Sequence, residues 1–165
     1  MQEFVYKMLA DSTYSIMEYR GNEAHVMIPE TCCGAPITVL YDKLFRGHSE
    51  ILSVHIPDCV TDLGEFVFDG CDALRHIELP SQLFHLWGYT FARCGIEEIT
   101  IPDRVTYLPP FAFKDCKNLK KVVCGSGLRE ICSWAFGGCD NLCELIVAPN
   151  VKISPEAFQS KVLNT

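Results

Sequence analysis

The stretch IPDRVTYLPPFAFKDC, residues 101–116, contains the pattern on which the whole chain is built. Apolar residues follow its first proline at regular spacing, and Phe113 precedes Cys116 by three positions. Near-copies of this pattern place six phenylalanines at intervals of 22 or 23 residues: Phe45, Phe68, Phe91, Phe113, Phe136 and Phe158. A constant period in this range predicts one small unit stacked on copies of itself, and hence a solenoid with long open faces.

Each repeat also carries a short apolar segment that we predict to be a β-strand. Its apolar residues occupy positions 1, 4 and 6, and proline or a substitute ends it, since proline has no N–H to give to a strand ladder. The predicted strands are ILSVHIP (51–57), LRHIELP (74–80), IEEITIP (96–102), LKKVVCG (119–125) and LCELIVAP (142–149). Gly47, Gly70 and Gly138 follow the repeat phenylalanine by two residues, where we expect tight turns with positive φ.

The composition predicts one folded domain, because 48% of the 165 residues are hydrophobic and 21% are charged. The net charge of −7 comes from interspersed acidic and basic residues. This disfavours nucleic acid and anionic membranes as partners, since both call for a basic face. No basic stretch leads into a long apolar run, so we expect neither a signal peptide nor membrane insertion. A cytoplasmic location is favoured, with the cell surface or secretion as the alternative if the chain is a fragment.

Four of the ten cysteines recur with the repeat, three residues after a phenylalanine: Cys71, Cys94, Cys116 and Cys139. Such a column steps along the stack by roughly 5 Å with its side chains parallel. Parallel thiols are poorly oriented for the torsion of a disulfide, and they cannot converge on one tetrahedral zinc ion. We therefore predict reduced, structural thiols that pack as small hydrophobic groups, as in a reducing compartment.

The repeat resembles the BspA-type (Treponema-type) class of leucine-rich repeats over nearly the whole chain. The segments that carry the resemblance are IPDCVTDLGEFVFDGC (56–71), IPDRVTYLPPFAFKDC (101–116) and LREICSWAFGGC (128–139). It implies a mainly β, right-handed repeat solenoid, with a parallel concave sheet and short turns or 3-10 segments on the convex side. It also implies that residues 1–50 form a strand pair and an atypical capping repeat, while residues 51–165 form the regular repeats of the same single domain.

The resemblance implies that strand positions 2, 3 and 5 face solvent on the concave side. The partner-binding candidates of this concave face are Arg75, His76, Glu78, Glu97, Glu98, Thr100, Lys120 and Lys121. They mix both charges, and no acid pair, nucleophile–base pair or glycine-rich phosphate loop stands out among them, so we predict no catalytic residue. The alternative is an ordinary solvated sheet face without a partner.

A second column of aromatic residues stands two positions before the repeat phenylalanine. Its members, called the aromatic flank below, are Phe66, Tyr89, Phe111 and Trp134. One interpretation is a stack of rings that stabilises the convex side of the solenoid. The other is an exposed strip that docks a protein or a sugar chain.

Three histidines, His25, His55 and His76, fall on the first strands of the concave side and are weak candidates for a metal site. Strand geometry places the Cα atom of His55 roughly 8 Å from those of the other two, which is wide for shared coordination. We therefore expect ordinary surface histidines, no metal and no cofactor.

These observations predict a non-enzymatic protein–protein interaction module whose partner is an unidentified protein. The alternative is a cell-surface adhesin or a carbohydrate-binding fragment, since members of the family that it resembles are often displayed or secreted. A solenoid also ends in an open sheet edge that can pair with another chain. We therefore expect weak end-to-end homodimers through the last repeat.

Overall fold

The computed structural model describes residues 1–159, which form a β-solenoid of about six turns without any helix. Short strands alternate with turns along these residues, and none of the turns is a 3-10 helix. The strands are β1 (Glu3–Met8), β2 (Tyr14–Arg20), β3 (His25–Met27), β4 (Thr31–Cys32), β5 (Ala35–Leu40), β6 (Ser53–His55), β7 (Asp62–Leu63), β8 (His85–Leu86), β9 (Glu98–Ile101), β10 (Tyr107–Leu108), β11 (Lys121–Cys124), β12 (Glu130–Ile131), β13 (Glu144–Ile146) and β14 (Lys152–Ile153).

The repeat phenylalanines form one continuous column in the core. Neighbouring rings are stacked, with centroids 5.3–5.6 Å apart over the whole column. The first five rings are fully buried, while Phe158, the last, is 48% exposed. The backbone N–H of each of the first five donates to a carbonyl of the following turn at 2.8–2.9 Å, as from Phe68 to Thr90 and from Phe91 to Ala112. The phenylalanine turns therefore form an unbroken hydrogen-bonded ladder along the solenoid.

An antiparallel hairpin covers the N-terminal end of this column. β1 pairs with β2 across a bulge between Val5 and Tyr6, and β2 continues in parallel into β5. The buried ring of Tyr19 packs edge-on against Phe45 with 5.2 Å between centroids, and Phe4 contacts Tyr19 in turn. The hairpin thus supplies the outer wall that the first phenylalanine would otherwise lack.

The predicted concave sheet is present in two pieces rather than one. β3 pairs with β6, and β9, β11 and β13 pair in that order, all in parallel. The prediction of a strand at residues 74–80 is wrong, because this segment is not in a strand and lies between the two pieces. The gap between residues 76–79 and β9 is called the open seam below. The turn that contains residues 76–79 and the turn that contains β9 also separate on the adjacent side of the solenoid. There β5, β7 and β8 form one ladder, and β10, β12 and β14 form another.

The turn before the open seam is shorter and more crowded than its equivalents. Only Gly95 stands between the column cysteine and the first apolar residue of the next repeat, Ile96. Two residues stand at this place in the neighbouring repeats, so this connection is one residue shorter. The Arg75 guanidinium donates to the carbonyl oxygen of Gly95 at 3.2 Å and also to that of Asp72. A Cβ atom at position 95 would collide with both Arg75 and Asp72. The short connection therefore holds these two turns together at one edge and alters their alignment beyond it.

Proline contributes to the break on the adjacent side. Cys132 donates its backbone N–H to the Leu108 carbonyl of the preceding turn at 3.0 Å, and Trp87 donates to Leu63 in the same way at 3.1 Å. The equivalent residue between them is Pro109, which has no N–H to donate. The ladder therefore loses this bond at the turn where the sheets separate.

The predicted tight turns are confirmed. Gly47, Gly70 and Gly138 adopt φ values of 77–78°, in the left-handed region that glycine enters without a steric cost. Arg93 and Asp115 occupy the same position in two other repeats and adopt φ values of 51° and 58°. The repeat therefore imposes this backbone conformation even where the side chain does not favour it.

Candidate functional site

The concave face rests on a row of buried branched residues. Ile77, Ile99 and Val122 point into the core, and the residues on either side of them point outward. This alternation follows from the period of two in an extended chain. Of the eight candidates, Glu97 and Lys121 are half-buried and the rest are exposed: Arg75, His76, Glu78, Glu98, Thr100 and Lys120.

Most of the charges on this face are neutralised by the next turn. Glu97 lies 4.0 Å from Arg75 on one side and 3.5 Å from Lys120 on the other, and Lys121 lies 3.4 Å from Glu144. Exposed pairs of this kind contribute little to stability, at most about 1 kcal/mol each. Glu78 and Glu98 differ from the other charged groups, because within residues 1–159 neither forms an ion pair.

The open seam forms a groove of about 740 Å³ on the concave side. His76, Glu78, Glu98 and Thr100 line it, so four of the predicted candidates meet at one place. A smaller groove of about 220 Å³ lies on the other side of residues 76–78, against β6. The interrupted sheet thus creates a groove on each side of residues 76–78.

Two carboxylates at the corner of the groove escaped the sequence analysis. Asp58 and Asp103 follow the proline that ends their strands, and both line the groove. Each also accepts a hydrogen bond from the next turn: Asp58 from the Ser81 N–H at 2.9 Å, and Asp103 from the Ser126 N–H at 2.7 Å. The Pro-Asp dipeptide, which recurs in two repeats, was the available signal for these residues.

The aromatic flank is a continuous stack of half-buried rings. Successive centroids lie 4.7, 4.8 and 6.2 Å apart, with interplanar angles of 11–24°. The Arg46 guanidinium lies 5.0 Å from the Phe66 ring, and the Lys114 ammonium lies 5.7 Å from the Phe111 ring. At the far end of the flank, Phe111, Trp134 and Gln159 border a cavity of about 470 Å³. The rings therefore stack on one another and also present part of their surface to solvent.

A further pair of aromatic residues was not singled out by the sequence. Tyr41 and Trp87 stand two turns apart at equivalent positions and are 46% and 47% exposed. Gly64 occupies the position between them, so the two rings border a slot of about 380 Å³. The carboxylates of Asp62 and Glu65 also line this slot. Exposed rings beside carboxylates are a common arrangement for binding polar ligands with an apolar face.

The three candidate histidines do not converge. The Nδ1 atom of His25 lies 2.8 Å from the hydroxyl oxygen of Ser53, while His55 and His76 are exposed on different turns. Among residues 1–159, no group of three or more histidine, cysteine or acidic side chains is placed to hold a metal ion.

The column thiols pack in the core or against it. All ten cysteines fall within the described residues and are free. The Sγ atoms of Cys71, Cys116 and Cys139 donate to carbonyl oxygens of the preceding turn at 2.9–3.1 Å. Burial raises the pKa of the Cys94 thiol to about 12, and burial also raises the pKa values of Cys71 and Cys116. These groups therefore act as small hydrophobic residues and not as nucleophiles.

The sequence of the repeats identifies the family. The model of the BspA type leucine rich repeat region matches residues 38–164 in six copies. The chain belongs to the BspA-type leucine-rich repeat family. Leucine-rich repeat families are generally non-enzymatic, and membership suggests a role in protein interaction or at a surface. A comparison with curated proteins gives no significant match. Within the described residues, no helix is long and apolar enough to span a membrane.

Solved structures of similar proteins share the fold. A leucine-rich repeat protein of Treponema pallidum is 26% identical, with a TM-score of 0.69 over 91% of this chain and 82% of that protein. A leucine-rich repeat protein of Bacteroides ovatus is 25% identical, with a TM-score of 0.70 over 96% of this chain and 50% of that protein. A leucine-rich cell surface protein of Faecalibacterium prausnitzii is 20% identical, with a TM-score of 0.56 over 88% of this chain and 54% of that protein. The chain thus spans about half the length of the last two.

Proposed function

We propose that the chain is a non-enzymatic module that binds a protein partner through its concave face. Residues 1–50 would cap the stack, and the repeats of residues 51–165 would present the binding surface. The observation that supports this proposal best is the groove of the open seam, where four exposed concave candidates meet above a buried apolar row. Concave solenoid faces are suited to this role because they offer a long, rigid and readily varied surface.

The proposal is tested by affinity capture from a lysate of the source organism, followed by mass spectrometry. The informative comparison is between Thr100→Arg, which places a bulky cation in the groove of the concave face, and Thr106→Arg, the same change at an exposed position away from it. A partner that is lost with Thr100→Arg and retained with Thr106→Arg supports the proposal. Equal recovery of every captured protein by both variants would contradict it.

The exposed aromatic residues favour a second candidate function, a surface adhesin or carbohydrate-binding fragment. Stacked rings on the aromatic flank and the slot between Tyr41 and Trp87 offer flat apolar surface beside carboxylates, which suits the faces of sugar rings. The Faecalibacterium protein is named as a cell surface protein, but at this identity it shares only the fold. Binding of the purified chain to a glycan array, abolished by Tyr89→Ala with Trp134→Ala or by Trp87→Ala, would support this function over the first.

We also propose that the chain works in a reducing compartment such as the cytoplasm. The support is the cysteine column, whose buried thiols pack against carbonyl oxygens of the preceding turn. The test is to lyse cells directly into denaturant that contains an alkylating reagent, which blocks free thiols as the protein unfolds, and to count the modified cysteines. Modification of nearly all ten cysteines is expected. Protection of most of them by disulfides would instead favour an exported protein.

A further inference from the structure

The strand edges along the open seam are not paired. The backbone N–H and C=O groups of residues 76–79 form no hydrogen bond with any other described residue. β9 pairs only with β11, so its edge toward the seam is also unoccupied within residues 1–159. Elsewhere on the concave side the ladder continues, as from the Cys143 N–H to the Lys120 carbonyl at 3.0 Å. Free strand edges are templates for pairing with another extended chain.

The side chains along the seam are strongly acidic. Four carboxylates line the groove, from Asp58, Glu78, Glu98 and Asp103, and among residues 1–159 His76 is the only basic side chain that lines it. Asp58 and Asp103 hold backbone N–H groups of the next turn, whereas Glu78 and Glu98 have no partner among the described side chains. Ile77 and Ile99 on the floor are buried, while the partly exposed Leu79 and Pro102 also line the groove and add apolar surface. The groove therefore offers backbone hydrogen-bonding groups and negative charge beside apolar surface.

We propose that the open seam binds an extended, cationic peptide segment of a partner protein. The segment adds its backbone to the free edge of residues 76–79 or of β9, and its lysine or arginine side chains contact Glu78 and Glu98. Alternate residues of an extended chain point the same way, so a basic residue at every second position matches the groove. This inference rests on the proposed function and specifies the partner for it.

The first experiment measures the binding of labelled octapeptides to the intact chain by fluorescence anisotropy. The probes are a peptide of alternating lysine and valine and a control of alternating glutamate and valine. The lysine peptide is expected to bind, more weakly as salt is raised, and the glutamate peptide is not. Glu78→Gln with Glu98→Gln should weaken binding by about fivefold or more. Glu144→Gln, an exposed carboxylate on the continuous part of the sheet, should leave binding unchanged.

A second experiment separates backbone pairing from simple charge attraction. A lysine–valine peptide that is N-methylated at every second residue keeps its charge but cannot donate along one edge, and it should lose most of its affinity. Hydrogen exchange should show protection of amides of residues 76–79 or of β9 only with the unmethylated peptide. Equal binding of both peptides without protection, or equal weakening by Glu144→Gln, would overturn the inference.

The outcomes also distinguish this inference from the proposed function. If a captured partner is lost with Thr100→Arg but the lysine peptide does not bind, the module function stands and the cationic peptide segment is ruled out. Binding of the lysine peptide with the expected variant pattern supports the seam even before a partner is identified.

Discussion

At the scale of single residues, the aromatic flank combines bulky rings with a backbone conformation that usually requires glycine. Phe66, Tyr89, Phe111 and Trp134 all have φ values between 59° and 64°. A non-glycine residue in this region costs roughly 1–2 kcal/mol. The stacked rings offset that cost, since each aromatic pair contributes about 0.5–1.5 kcal/mol beyond its buried area.

This balance predicts an unusual order of stability at position 89. Tyr89→Gly should be more stable than Tyr89→Ala by about 1 kcal/mol, because both lose the stacking but only glycine relieves the strained backbone. The free energies of unfolding would be measured in urea. Phe84 is the matched control, since its φ is not positive; there the alanine variant should be the more stable of the two. If the alanine variant were the more stable of the two at both positions, the backbone strain at Tyr89 would be negligible.

The buried thiols predict a loss of stability in alkaline solution. Burial raises the native pKa of Cys94 to about 12, from 9.0, so the unfolded state releases its proton at lower pH than the native state. The free energy of unfolding must therefore fall as the pH rises from 9.0 to about 12. Cys94→Ala should lose less stability than the original chain between about pH 8 and about pH 10, by on the order of 1 kcal/mol. Cys143→Ala, which removes an exposed thiol, is the control; equal pH dependence of the Cys94 variant and the original chain would contradict the argument.

At the scale of the repeated elements, the phenylalanine column should be strongest in its middle. Phe113→Ala removes a ring that is stacked on both faces and fully buried. It should destabilise the protein by about 3–5 kcal/mol. Phe158→Ala removes a ring that is stacked on one side among the described residues and half-exposed. Its cost should be about 1 kcal/mol, and similar costs at both positions, measured by urea unfolding, would contradict the assignment of the column as the core axis.

The period alone predicted the solenoid, because a small unit stacked on copies of itself repeats the same residues in every turn. It did not predict the open seam. The segment LRHIELP, residues 74–80, has the same apolar pattern as its neighbours, and Ile77 is buried as expected. Whether it joins a ladder depends on its alignment with the turns on either side, which the pattern within one repeat does not encode. The missing residue at Gly95 and the proline at 109 are visible in the sequence, but their effect emerges only when the turns are stacked.

The candidate site was predictable to a similar degree. The family resemblance correctly distinguished outward residues from buried ones, as at Glu98 and Ile99. It could not show which outward charges would be neutralised, because the partners lie a full turn away. The pairing of Glu97 with Arg75 and Lys120, and the isolation of Glu98, depend on the positions of neighbouring turns.

At the scale of the whole molecule, we propose that the last turn mediates weak end-to-end association. Within the described residues, β13 and β14 each pair along one edge only. Ile146 on this turn is 47% exposed. Light scattering at high protein concentration should show a mass above that of the monomer, and Ile146→Lys should restore the monomer mass. Leu52→Lys, at an exposed position near the other end, should not. A monomer mass for the original chain at every concentration would contradict the proposal.

The coexistence of an unbroken phenylalanine ladder with an open seam also bears on how the chain unfolds. In a stacked array, stability is a sum of the intrinsic terms of the units and the coupling between nearest neighbours. The seam lowers one of these couplings, between the turn of Phe91 and that of Phe113, because two of its three ladders are missing. Cooperativity is therefore weakest at that boundary. Denaturant should populate a half-folded intermediate that divides there, with separate midpoints for probes on the two sides.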